Sequence, residues 1–222
     1  MTPGQSSKIL SIEVSKSIGN VSIKIVDVEK PKAVMTLAHG AGAGMEHTFM
    51  ESLAAALAKA SITSIRFNFP YMENKKGRPD PAPVAEKTVE AVINTTHGLY
   101  PKLPLFASGK SFGGRMTSQR LSKECPAFIK GIIFFGFPLH QTGAPATERA
   151  NHLASISIPM LFLQGTRDSL AEMKLMEGVV NKLPSARLKK FEGADHSFKV
   201  SKSQLMKELA MESSQWIDQL IR

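Results

Sequence analysis

One cysteine, Cys125, is all the chain has. No intrachain disulfide framework can hold it together, and a reducing cytosol suits it. Tryptophan occurs once and tyrosine twice in 222 residues, which leaves little for the aromatic platforms of nucleic-acid binding. No apolar run approaches the roughly 18–20 residues needed to span a membrane. The opening Met1-Thr-Pro-Gly-Gln-Ser-Ser-Lys8 lacks the apolar core of a secretory signal. The expectation is a cytoplasmic protein with no membrane attachment. The six histidines and lone cysteine show no metal-ligand spacing, so neither a metal nor another cofactor is expected.

Acid is also scarce: 19 Asp and Glu stand against 28 Lys and Arg, a net charge of +9. The basic residues are spread over the whole chain, as Lys8, Lys24, Lys59, Lys123, Lys182 and Lys207 show. Only Lys75, Lys76 and Arg78 cluster. Nucleic-acid binders concentrate charge on one patch or arm, so a nucleic-acid partner is not expected. A generally basic surface accounts for the charge, with an anionic small molecule or partner as the alternative.

The length suits one α/β domain with a full core over residues 1–222. Apolar content of 42% and charged content of 21% are ordinary for a globular chain. Three β-branched runs come first, Ile9–Val14, Val21–Val28 and Ala33–Ala38. Ser17-Ile-Gly-Asn20 predicts a hairpin turn between the first two. From Met45 to Ala60 the spacing becomes helical. Strands follow at Ile62–Phe67, Leu103–Ser108, Ile129–Phe137, Ile158–Gln164 and Ala186–Phe191. Helices are predicted at Val84–Leu99, Gly113–Lys123 and Leu170–Leu183. A last amphipathic helix carries Leu205, Leu209, Trp216 and Leu220. Met72–Pro83 reads as an exposed loop. Such alternation means a mainly parallel sheet with helices on both faces.

Chemistry enters at Gly109-Lys-Ser111-Phe-Gly113. An apolar strand runs into it and helix formers follow, the setting of a G-x-S-x-G nucleophile elbow. The small neighbours are needed because the serine must sit on a strained strand-to-helix turn. A serine hydroxyl needs a base to take its proton, and the base needs a third group to orient it. Asp168 lies 57 positions after Ser111, and His196 lies 28 beyond that, each just past a predicted strand. Ser, acid, His is the order this elbow requires, and open parallel sheets place ligands at that edge. Asp168 could also cap a helix starting at Ser169 or Leu170. The backbone N–H of Phe112 is one oxyanion donor. The loop His39-Gly-Ala-Gly-Ala-Gly44 should supply the other, with Ala41 the first choice and Gly42 the second.

Six blocks carry a resemblance: Leu37–Met45, Arg66–Met72, Gly109–Met116, Phe135–His140, Leu163–Asp168 and Gly193–His196. Together they resemble the small α/β-hydrolases of the testis-expressed-protein-30-like family, with dienelactone-hydrolase-like proteins as broader relatives. The likeness runs from about residue 33 to the C-terminus. It implies an eight-stranded hydrolase sheet with Ser111, Asp168 and His196 in the triad positions. Its relatives include chromatin-complex subunits.

Only some twenty residues separate the strands starting at Ile129 and Ile158, so little or no cap domain is expected. Met72–Pro83 and Leu139–Thr147 should then form the rims of the site, with Lys110, Arg115 and the Lys75–Arg78 loop at its mouth. Arg115 could instead brace the helix after the elbow. The expected activity is cleavage of an ester, thioester or similar acyl bond in a small-molecule substrate, with an anionic one as an alternative to a neutral one. Two other readings stay open: a non-catalytic interaction module on the same fold, and the same triad cleaving a lactone, peptide or carbon–carbon bond.

Overall fold

A computed structural model of the chain describes residues 5–221; the first four residues of the N-terminal stretch discussed above lie outside it. Eight strands form one sheet: β1 (Gln5–Ser15), β2 (Gly19–Val28), β3 (Ala33–Ala38), β4 (Ile62–Phe67), β5 (Leu105–Lys110), β6 (Ile129–Phe135), β7 (Met160–Gly165) and β8 (Ala186–Phe191). Their order is β1-β2-β4-β3-β5-β6-β7-β8. β2 runs antiparallel to both neighbours, and every other pairing is parallel.

The inner strands are apolar on both faces because both are covered. On β6, Ile133 and Phe135 point to one core while Ile132 and Phe134 point to the other; on β7, Leu161 and Leu163 oppose Met160 and Phe162. The first core is closed by α1 (Thr48–Lys59) and α6 (Met206–Leu220), through Phe49, Leu53, Leu57, Leu209, Trp216 and Ile217. The second lies under α3 (Ala82–Leu99), α4 (Phe112–Lys123) and α5 (Met173–Val180). A single turn, α2 (Pro70–Glu73), precedes α3. Between β6 and β7 there are only a short 3₁₀ segment at Glu148–Ser155 and one isolated bridge, Gln141 with Ala144, so no cap stands over the sheet. Among the described residues no helix is long and apolar enough to cross a membrane. Cys125 is a free, half-buried thiol.

Several elements differ from the sequence-based expectation. Met72–Pro83, expected as loop throughout, starts inside the turn of α2, because Pro70 sits at the first helical position, where its fixed φ suits the start, and it ends in α3. α5 begins at Met173 rather than Leu170, since Leu170 and Glu172 are held elsewhere. His140 N donates to Leu170 O (2.9 Å) and Glu172 N donates to His140 Nε2 (2.8 Å). β5 extends two residues further, to Lys110, which puts Ser111 directly at its end. A two-stranded ladder, β9 (Lys199–Val200) with β10 (Ser203–Gln204), has no counterpart in the predicted elements.

Candidate active site

Three strand ends meet at the carboxyl edge of the sheet. Ser111 leaves β5 with φ 52° and ψ −117°, a conformation that costs about 1–3 kcal/mol for a residue with a side chain. The crossing is tight. A Cβ on Gly113 would meet His39 O at 2.5 Å and Ala38 O at 2.6 Å, and one on Gly109 would lie 2.5 Å from Gly113 C. Only residues without side chains let β5, α4 and the end of β3 approach this closely.

Asp168 follows β7, with its side chain fully enclosed. Oδ1 accepts from Leu170 N (2.8 Å), and Oδ2 accepts from Gln164 Nε2 (2.5 Å) and His196 Nδ1 (2.6 Å). The bond to Leu170 is a turn contact, not a helix cap. The N-cap of α5 is Glu172. A carboxylate can only accept, so the proton of the imidazole is on Nδ1. Nε2 is left as an acceptor, and the Ser111 hydroxyl donates to it over 2.9 Å. The three positions chosen from the sequence thus form one hydrogen-bonded line.

The loop after β3 is braced from beneath. Buried His39 donates through Nδ1 to Gly40 O (2.8 Å) and accepts from Phe69 N at Nε2 (3.1 Å). Burial draws its pKa down to about 4, so it stays a neutral brace. The Tyr71 hydroxyl donates to Gly40 O (3.4 Å) and accepts from Gly42 N (3.2 Å). That contact commits the Gly42 N–H. Ala41 lines the cleft, and Phe112 opens α4 beside Ser111.

The cleft over Ser111 and His196 holds about 480 Å³, between the Gly40–Ala43 loop, the start of α1 at His47–Met50, and Leu170. The expected rims are not the ones observed. Neither Met72–Pro83 nor Leu139–Thr147 lines it; Ser197, Lys199 and Gln204 do, carried in by the β9–β10 ladder. The basic mouth also needs correction. Lys75, Lys76, Arg78 and Arg115 are absent from the walls, and Arg115 is half-buried beside Arg149 and His152. Lys110 does line the cleft, though its amine is sealed from water. Among the described residues, no three His, Cys, Asp or Glu side chains gather to hold a metal.

Two residues that support the site, Gln164 behind Asp168 and Tyr71 beneath the loop after β3, have no motif of their own. Gln164 is fully buried, and besides holding Asp168 it accepts from Phe137 N at 2.9 Å. Its only sequence signal is a lone polar residue ending an apolar strand. Tyr71 has none beyond its place in the Arg66–Met72 block.

A family model described as an alpha/beta hydrolase domain matches residues 31–220. The chain belongs to that family. Solved structures repeat the whole fold at low identity. A dienelactone hydrolase from Anabaena variabilis superposes with a TM-score of 0.80 at 18% identity, over 99% of this chain and 100% of that one. A serine hydrolase without lid from Xanthomonas campestris gives 0.73 at 18%, over 99% and 96%. The esterase domain of a Rhodothermus marinus protein gives 0.75 at 13%, over 98% and 100%. At such identities the likeness shows the fold, which here is the alpha/beta hydrolase sheet without a cap.

Proposed function

We propose that this chain works as one domain, a serine hydrolase that cleaves an ester, thioester or similar acyl bond in a small molecule. The observation that carries the reading is the unbroken line Ser111–His196–Asp168, with bonds of 2.9 and 2.6 Å. His196 Nε2 takes the hydroxyl proton as Ser111 Oγ attacks the acyl carbon. Asp168 holds the tautomer and stabilises the imidazolium that forms. The N–H groups of Ala41 and Phe112 receive the developing oxyanion. Collapse expels the leaving group, protonated by His196, and leaves an acyl-enzyme on Ser111. Water, activated by the same imidazole, then releases the acid. The uncapped cleft supports a substrate that enters from solvent without a lid.

The solved structures described as serine hydrolase, esterase and dienelactone hydrolase lend the reading support and place lactones in the substrate panel. The closer kinship, to the testis-expressed-protein-30-like branch, rests on the six sequence blocks. A cytoplasmic setting rests on the lone cysteine.

The test is a fluorophosphonate probe, with mass mapping of the adduct. Stoichiometric labelling of Ser111 and turnover of an acyl ester or lactone are expected. A folded protein that does neither would instead be an interaction module, and labelling of another serine would overturn the elbow assignment.

Gln164 should behave as a positioning residue. Gln164→Leu deletes the donor to Asp168 and strands the Phe137 N–H, and a bond to a charged group contributes about 1.5–3 kcal/mol. The expected result is a kcat about 10–100-fold lower with KM nearly unchanged. A rise in KM at constant kcat would mean that Gln164 shapes the cleft instead.

A further inference from the structure

The walls of the cleft over Ser111 carry charge of one sign. No Asp or Glu side chain lines it, whereas Lys110, Lys199, His47 and His196 do. Lys110 cannot touch a ligand, because its amine is shut off from water beneath the rings of Phe49 and Phe198, 5.7 and 5.9 Å from their centroids. Asp168 stands behind His196 and is committed to it and to Gln164. Asp195 is exposed, and its Oδ1 accepts from the backbone N–H groups of Ser197 (2.8 Å) and Lys199 (2.9 Å). That leaves Lys199 as the lysine a ligand can meet. It is exposed and takes part in none of the ion pairs among the described residues.

The β9–β10 ladder holds Lys199 at the cleft. In its antiparallel register Lys199 pairs with Gln204, and Val200 with Ser203. Lys199 and Gln204 therefore share one face, and both line the cleft. The start of α1 continues the same wall, since the rings of Phe49 and Phe198 pack with centroids 6.3 Å apart. His47 stands at that start as the helix cap, its Nδ1 accepting from Phe49 N (3.2 Å). With Nδ1 an acceptor, the neutral ring carries its proton on Nε2 and has one N–H left to donate. Phe49, Met50 and Leu170 supply the apolar part of the walls. A volume of about 480 Å³ is that of a sphere about 10 Å across, so a group bound at Lys199 lies only a few carbons from the Ser111 hydroxyl.

We propose that the substrate carries a carboxylate a few carbons from the bond cleaved at Ser111, as a monoester or monothioester of a short dicarboxylic acid does, and that Lys199 is the specificity-determining residue that reads it, with the His47 Nε2–H as second donor. The inference rests on the serine-hydrolase reading above. One ammonium and one neutral N–H match the two oxygens of a monoanion. A phosphate dianion is better met by the fork of an arginine, and no arginine lines the cleft. The hydrocarbon between carboxylate and scissile bond would lie against Phe49, Met50 and Leu170.

The experiment gives the full-length protein two matched pairs of esters. One pair places the charge on the acyl side, 4-nitrophenyl hydrogen glutarate against 4-nitrophenyl pentanoate. The other places it on the alcohol side, 3-acetoxypropanoate against butyl acetate. In at least one pair the anionic member should be favoured about 3–30-fold in kcat/KM at low salt, mainly through KM, because a charge-assisted bond gains in a partly enclosed cleft over an open surface. The preference should shrink at about 0.5 M salt, where charges are screened beyond about 4 Å. Lys199→Met should bring the ratio close to one, and Lys199→Glu should invert it. A residue that merely held the ladder in place would lower both members alike and leave their ratio unchanged. A neutral member turned over as well or better in both pairs, or a ratio that neither substitution moves, would overturn the proposal.

A readout independent of turnover separates this inference from the one beneath it. If wild type turns over none of the four esters and takes up no fluorophosphonate, the hydrolase reading fails by itself. Titration calorimetry with glutarate and with its neutral diamide, glutaramide, then decides the anion site. Tighter binding of glutarate that is lost in Lys199→Glu supports it, and equal binding of the two compounds, or glutarate binding that survives the substitution, sinks it.

Discussion

Ser111→Ala should give a folded protein that takes up no fluorophosphonate and turns over acyl esters on the order of 10⁴–10⁶-fold more slowly. The loss is large because Ser111, His196 and Asp168 are expected to act as a unit, the imidazole taking the hydroxyl proton while Asp168 holds its tautomer. Asp168→Asn should cost about 10⁴ by leaving the imidazole with the wrong tautomer. The fold has little reason to suffer, since the hydroxyl's one side-chain bond is to His196. Stability carries a second signature. Alanine at position 111 keeps a Cβ at φ 52° and with it the strain of the turn, whereas Ser111→Gly removes both. The glycine variant should melt above the alanine variant while being equally inactive. Ester turnover by Ser111→Ala within tenfold of wild type would remove Ser111 from the chemistry.

Gly113→Ala should be among the most damaging small substitutions for the fold. The added methyl would press against His39 O and the Ala38 carbonyl, both backbone atoms at the end of β3, and no flexible side chain can yield. Overpacking commonly costs about 1–3 kcal/mol and at rigid sites more. At about 2–4 °C per kcal/mol for a chain of this size, Tm should fall by roughly 10 °C. The strain falls on His39, which opens the loop proposed to receive the oxyanion, so labelling of Ser111 should fail even where the variant stays folded. Gly178→Ala is the matched control. It lies in α5 with open space around it, and alanine there should stabilise by up to about 1 kcal/mol. A Gly113→Ala protein with wild-type Tm and labelling rate would show that the crossing of β5, α4 and β3 can relax.

The sequence carried the sheet clearly wherever chemistry and geometry share a period. β3, β4 and β8 fall on the residues expected of them, because each is bounded by turn formers and filled by residues suited to a pleated surface. The positions of Ser111, Asp168 and His196 were legible from motif, order and strand ends alone. Lys110 was not. A lysine in a loop-forming motif reads as surface charge, and only the docking of Phe49 and Phe198, 61 residues before it and 88 after it, closes it off. The rims were misplaced for a similar reason. Loops rich in Gly, Pro and charge are recognisable, but which of them lean over a strand end depends on partners such as His140, which holds Leu170 and Glu172 through tertiary contacts. The β9–β10 ladder, two residues per strand, is too short to leave a pattern.

β8 lies at the margin of the sheet, paired on one side only and with half-exposed residues along most of its length. The elbow, by contrast, hangs from β5 in the middle. Edge segments open with less free energy than central ones. Brief detachment of β8 would carry His196 away while Ser111 stays mounted on an intact centre. Heating should thus silence the protein before it melts it, with labelling lost at a temperature where the far-ultraviolet dichroism is still native. Cooling from that point should restore function as fast as one strand can re-dock, and such a catalyst reports on the fraying of its own border.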